Sequence, residues 1–208
     1  MIRPLHDDFT RFALTTTPET EMAPTFDEMK LVIAPSEGNV PYMYLDTVGK
    51  VTVGIGNMLP NVAAACALPF VNRTTKNGAT SAEITADFQA VTSQPARRSS
   101  RFYRPFTKLD LPDPEINRLF LDRVRGFLGE LRDSYPDFDE YPDPAQLAML
   151  DMAFNLGTSG LKNTWPRLNA AIDAEDWAKA ALECNRPQVN PTRNATIKDL
   201  FLKAAEDE

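Results

Sequence analysis

Glu37-Gly38-Asn39-Val40-Pro41-Tyr42-Met43-Tyr44-Leu45-Asp46-Thr47-Val48-Gly49-Lys50-Val51-Thr52-Val53-Gly54-Ile55-Gly56-Asn57 is the stretch on which the fold turns. Tyr42-Met43-Tyr44-Leu45 has strand composition, Gly49 supplies a turn, and Val51, Val53 and Ile55 alternate after it, so the spacing predicts a β-hairpin. Side chains alternate across a strand, which puts Thr52, Gly54 and Gly56 opposite Val51, Val53 and Ile55, with one face core and the other open. Asp46 and Thr52 each stand three residues from Gly49. A hairpin centred on that glycine brings the two side chains together around room for one water. Upstream, Thr25-Phe26-Asp27-Glu28 reads as a capping box. It opens a helix with Phe26, Met29 and Ile33 on one side, and Pro35 ends or kinks it just before Glu37.

The segment thus carries a carboxylate at a helix end, a second at a strand end, and a hydroxyl on the return strand. Glycoside hydrolysis needs this equipment: a protonated carboxyl near the glycosidic oxygen and an ionised one that attacks or activates water. Glu37, leaving a helix toward a less polar groove, is the candidate acid, and Asp46, on a polar hairpin, the candidate base. Gly54 and Gly56 leave backbone for a sugar to lie against. Read from residue types alone, the same pattern also fits a solvated helix-end charge, a turn aspartate, a strand-forming threonine and bulge glycines.

Around this segment, the 208 residues, 43% of them hydrophobic, suffice for one globular domain split into two lobes. Lys and Arg number 22 against 29 Asp and Glu, a net charge of -7, which disfavours nucleic acid and anionic membranes as partners. Two cysteines, Cys66 and Cys184, cannot build a disulfide framework and read first as buried thiols, a single bridge between them being the lesser alternative. With His6 the only histidine, no zinc cluster and no cofactor are expected. The first residues show no signal-peptide run, and residues 62–71, broken by Pro69, fall far short of the roughly 20 a membrane span needs. They read as buried core or a short helix.

Residues 1–24 read as an extended lead-in and 25–208 as the domain, divided into a catalytic helix and hairpin over 25–59, an insertion over 60–110 and a helical lobe over 111–208. The insertion holds a predicted short helix near 81–91 and the basic-aromatic run Arg97-Arg98-Ser99-Ser100-Arg101-Phe102-Tyr103-Arg104, a solvated loop that could also border the groove. Asp113-Pro114 opens a helix with Ile116, Leu119, Phe120, Val124, Phe127, Leu128 and Leu131 at helical spacing. Asp143-Pro144 opens another, apolar nearly all round and stopped by Gly157, which should be the buried centre. Two more are expected, around 177–184 and from about Asn194.

The segment 37–57 resembles the catalytic stretch of the T-even phage lysozymes, glycoside hydrolase family twenty-four: Glu-Gly, then Tyr-x-Asp-Thr-x-Gly, then Thr-x-Gly-x-Gly. The spacings of nine from Glu37 to Asp46 and six from Asp46 to Thr52 agree with that family. The resemblance resumes over 148–160, Met149-Leu150-Asp151-Met152-Ala153-Phe154-Asn155-Leu156-Gly157 being similar to the family's central helix, and continues loosely to Pro191-Thr192-Arg193-Asn194. It implies an α+β, lysozyme-like fold with a small sheet-containing lobe, a larger helical lobe and a cleft between them. It also implies hydrolysis of the β-1,4 bond from N-acetylmuramic acid to N-acetylglucosamine in peptidoglycan, with inversion. Glu37 would be acid, Asp46 base and Thr52 the water-orienting residue. Gly54, Gly56, Met58, Phe154, Asn155 and Arg193 would line the substrate groove. The family commonly has histidine where Asn57 stands, and its phage members are basic where this chain is acidic.

Two other functions stay open at this level: a lytic transglycosylase using one acid, and a glycan-binding module that has lost activity. The expected partner is the peptidoglycan glycan strand, met by a monomer. Without a signal peptide, a chain made in the cytoplasm would reach the periplasmic wall through a holin or a secretion machine. The latter would bring a neutralising immunity protein as a second partner.

Overall fold

The computed structural model describes residues 28–30, 32–33 and 38–206. Residues 28–30 and 32–33 are helical, and Met29 and Ile33 are buried on the side the sequence predicts. The other residues of that reading, Thr25, Phe26, Asp27 and Pro35, lie outside the described residues.

Strands β1 (Val40–Leu45), β2 (Val51–Gly54) and β3 (Asn57–Met58) form an antiparallel sheet in that order. Val51, Val53 and Ile55 are buried, as their alternation requires. The second face is not the open one expected: Thr52 and Gly54 are buried too. The reason appears at Gly54, where a Cβ would lie 3.0 Å from Ile116 Cγ2. The start of the helix that carries Ile116 covers that end of the strand.

Residues 60–110, the segment expected as an insertion, form a shell packed on the sheet. They contain α1 (Val62–Cys66), β4 (Val71–Asn72), α2 (Ser81–Thr92), α3 (Ser100–Tyr103), a 3-10 turn (Arg104–Phe106) and β5 (Leu109–Asp110), with β4 and β5 paired. Thr80 and Glu83 make a reciprocal capping box that starts α2. Helices α2 and α3 pack on β1, and Phe70, Ile84, Val91, Tyr103 and Leu109 join the same core as the sheet. A buried carboxylate fixes the shell: Asp87 Oδ2 accepts the backbone N–H of Lys108 and of Leu109, at 2.8 and 2.9 Å. Burial raises the Asp87 carboxyl above its ordinary value, against the pull of those two bonds.

The larger part is helical: α4 (Asp113–Ser134), α5 (Asp143–Leu156), α6 (Thr158–Thr164), α7 (Pro166–Ile172), α8 (Trp177–Glu183) and α9 (Pro191–Ala204). Each Asp-Pro pair falls inside its helix, the cap being Pro112 or Pro142, one residue before the predicted position. Helix α9 begins at Pro191, three residues before Asn194, because Asn190 caps it by accepting from Thr192 N–H. Every residue of α5 from Ala145 to Phe154 is buried, so this helix is the centre of the helical part, and Gly157 ends it with φ of 73°. Helix α9 packs against α5 and α8, where the Trp177 and Phe201 rings stack 6.3 Å apart. Cys66 is half-buried and Cys184 buried, both as free thiols. The architecture is a small antiparallel sheet plus a larger helical part, an α+β arrangement around one continuous core. No helix among the described residues is long and apolar enough to cross a membrane.

Candidate active site

The hairpin register pairs Leu45 with Val51 and Tyr44 with Thr52. The turn is therefore centred on Val48, one residue before the Gly49 centre expected from sequence. Asp46 causes the shift. Its N–H donates to the Lys50 carbonyl at 2.9 Å, and its Oδ1 accepts the N–H groups of Val48 and Lys50 at 2.9 and 2.8 Å. The side chain thus closes the loop as an Asx turn. Gly49, at φ of 81°, takes the left-handed position that a residue with a Cβ resists.

Asp46 consequently faces Lys50, and Thr52 faces Tyr44. Opposed residues share a face, and so do residues two apart along a strand. Asp46 and Thr52 are therefore diagonal neighbours on one face, about 7–8 Å apart at Cα. Thr52 also pairs with Met58 of β3, which continues the row across the sheet. Of these, Met58 is exposed, Asp46 half-buried and Thr52 buried. The Thr52 hydroxyl donates to the Lys50 carbonyl at 3.2 Å. Among the described residues, Asp46 Oδ2 accepts no hydrogen bond. Asn57 pairs with Val53, so it belongs to the opposite face, away from Asp46 and Thr52. Glu37, the expected acid, lies outside the described residues, which resume at Gly38.

The expected groove residues divide between surface and interior. Asn155 is exposed at the end of α5, whereas Phe154 beside it is buried, with the Phe127 and Phe120 rings 4.7 and 5.7 Å away. Gly56 presents its carbonyl to Arg123 Nη1 at 2.6 Å, and the same guanidinium lies 4.9 Å from the Phe154 ring centre. Arg123 thus ties the end of the hairpin to α5. Its sequence signal is an arginine in an apolar stripe, 116, 120, 123 and 127 falling on one face of α4.

Arg193, expected across the groove, is half-buried and pairs with Asp151 on α5. Its Nε lies 2.9 Å from Asp151 Oδ1 and its Nη2 2.8 Å from the same oxygen. The fully buried Arg186 reaches Asp151 Oδ2 at 3.0 Å, and burial lowers its guanidinium below the ordinary value. Asn194 completes the cluster, accepting from Arg186 N–H and donating to the Arg186 carbonyl. This cluster also has a sequence signal: Asp151 is the only charged residue between Pro144 and Leu161. A lone carboxylate in an all-apolar helix requires a buried counter-charge. Among the described residues, no group of three or more potential metal-ligating side chains exists. No family model matches the chain, and no curated protein matches it.

Proposed function

We propose that the chain is a muramidase with a lysozyme-like fold, hydrolysing the β-1,4 bond between N-acetylmuramic acid and N-acetylglucosamine in peptidoglycan. The substrate would lie in a groove between the small sheet and the helical part. The observation that supports it most is the diagonal placement of Asp46 and Thr52 on one sheet face. Asp46 is oriented there by two turn amides through Oδ1, with Oδ2 left for a water. The Thr52 proton is committed to the Lys50 carbonyl, so Oγ1 is an acceptor toward that water. A water between them donates one proton to Asp46 Oδ2 and the other to Thr52 Oγ1, and its free lone pair faces the anomeric carbon. Glu37 protonates the departing glycosidic oxygen as the C–O bond breaks, while Asp46 takes the water proton as the new C–O bond forms. Attack opposite the leaving group inverts the anomeric centre. This chemistry needs no cofactor.

Digestion of purified sacculi tests the reading. The wild-type chain should release reducing muramic acid ends, and Glu37→Gln, nearly isosteric and lacking only the proton to give, should release none while keeping its circular dichroism spectrum. Anhydro-muramic ends would identify a transglycosylase instead. Persistent lysis by Glu37→Gln would refute the assignment of the acid.

A further inference from the structure

The run of basic and aromatic residues that borders the hairpin has no part in the chemistry above, and it is built like a binding surface. Between Asp87 and Asp110 the chain carries five cations, Arg97, Arg98, Arg101, Arg104 and Lys108, and no carboxylate, although the whole protein is at -7. All four arginines are exposed, as are Phe102 and Phe106. Among the described residues none of the four pairs with a carboxylate, whereas Arg118, Arg125 and Arg132 on α4 and Arg73 on the shell all do. Their scaffold is ordered from within: Tyr103 is fully buried and its hydroxyl donates to the Pro95 carbonyl at 2.9 Å. Arg104 lies over the Tyr42 ring, 5.4 Å from its centre. Arg97 holds φ of 59°, a conformation uncommon for a residue with a Cβ. The patch adjoins the catalytic hairpin directly, since Ala96 Cβ lies 3.5 Å from where a Gly49 side chain would begin.

We infer that this surface binds the carboxylates of the stem peptides borne by the glycan strand, with the exposed phenylalanines against the peptide's apolar parts. The proposal deepens the muramidase reading, because a strand lying over Asp46 carries its peptides past the turn at Gly49. Guanidinium forks match carboxylates in geometry as well as charge. Screening confines the attraction to about 8 Å at physiological salt, so a local positive patch operates despite the acidic whole. Its preset scaffold lowers the ordering cost of binding.

The test compares binding of the full chain to peptide-bearing sacculi and to the same strands stripped of peptides by an amidase, by sedimentation in the cold. The variant carries Arg97→Asn, Arg98→Ser and Arg101→Ser, three exposed side chains that make no hydrogen bond among the described residues, Arg98 lying over the Phe102 ring at 5.9 Å; asparagine is chosen for its tolerance of the left-handed backbone. Affinity for peptide-bearing sacculi should fall roughly three- to tenfold, by the usual worth of exposed ion pairs. Stripped strands should bind both proteins alike, Arg97→Lys with Arg98→Lys and Arg101→Lys should restore only part of the affinity, and high salt should erase the difference. An equal loss on stripped strands, or no loss on either substrate, overturns the proposal. The expected binding pattern from a protein that releases no reducing ends would support this inference and sink the muramidase reading, so the two fail separately.

Discussion

Substitution of Gly54 by alanine separates a glycine kept for a ligand from one kept for packing. Its φ of 67° costs a residue with a Cβ about 1–2 kcal/mol. The new methyl would also lie 3.0 Å from Ile116 Cγ2 and 3.4 Å from Cγ1, in a core with no slack, and such overpacking costs about 1–3 kcal/mol more. Gly54→Ala should therefore destabilise by about 2–5 kcal/mol in urea unfolding, with an unchanged m-value. The steric part belongs to one neighbour. Ile116→Ala alone, at a 1% exposed position, should cost about 2–5 kcal/mol, but the double variant should cost less than the sum by about 1–3 kcal/mol, because the methyl then has space. If Gly54 instead bordered a solvent-filled groove, only the backbone strain would remain and the two substitutions would be additive. Additivity within about 0.5 kcal/mol would refute the contact.

Removal of the Asp151 charge by Asp151→Asn takes from the fully buried Arg186 the carboxylate it pairs with; the loss should be about 3–5 kcal/mol, read as a fall in Tm of about 6–20 °C by calorimetry. Thr52→Val replaces a buried hydroxyl by a methyl of equal size. It should leave Tm within a few degrees while lowering kcat at least tenfold, and an unchanged kcat would remove Thr52 from the water site. At Asp87 the linkage runs opposite to the usual carboxylate. Burial raises its folded value above the unfolded one, so the stabilising contribution of the protonated form is full below the unfolded value and is lost as pH rises through the folded value. Asp87→Asn, whose amide oxygen can still accept from Lys108 and Leu109, should equal or exceed wild-type stability at neutral pH and flatten its decline above the acid range. A large destabilisation at pH 7, measured by urea titration, would contradict this.

What the sequence made visible follows from which forces act locally. The alternation at Val51, Val53 and Ile55 and the all-round apolarity of α5 reflect burial of side chains by their own elements, and both were readable from period alone. Turn register was not, because it is set by where a side chain can reach: Asp46 Oδ1 captures two amides and moves the centre of the hairpin to Val48. The occupancy of the second sheet face was equally hidden, since it depends on a helix starting some sixty residues later, at Asp113. In residues 60–110 only the helix near 81–91 and the short apolar run at 62–71 were readable, and both are helical, at Ser81–Thr92 and Val62–Cys66; the two-residue strands and the turns between have no period to read. What orders them is tertiary, the Asp87 carboxylate on the β5 amides and the Arg73 guanidinium on Asp110.

Among the residues assigned to substrate by resemblance, the structure uses several to hold the sheet and the helical part in one relation. Helix α5 is the common support. Phe154 lies against Arg123, which takes the Gly56 carbonyl at the end of the hairpin, and one turn earlier Asp151 takes Arg186 and Arg193 from the chain before and within α9. A hydrolytic site that places one water between two side chains tolerates displacements of only about an ångström. The side chains that set that placement must themselves be fixed by packing or hydrogen bonds. Buried polar contacts serve this well, because a guanidinium or carboxylate in a dry interior has one acceptable position, whereas methyl groups can slide. The exposed positions on this framework are Met58 and Asn155, with the half-buried Asp46 and the arginine shoulder beside Gly49; under the proposed function these are the ones that would meet the glycan strand. Substitutions at Met58, Asn155 and the arginine shoulder should change KM for sacculi, and substitutions at Arg123 and Asp151 should lower kcat through misplacement of the hairpin.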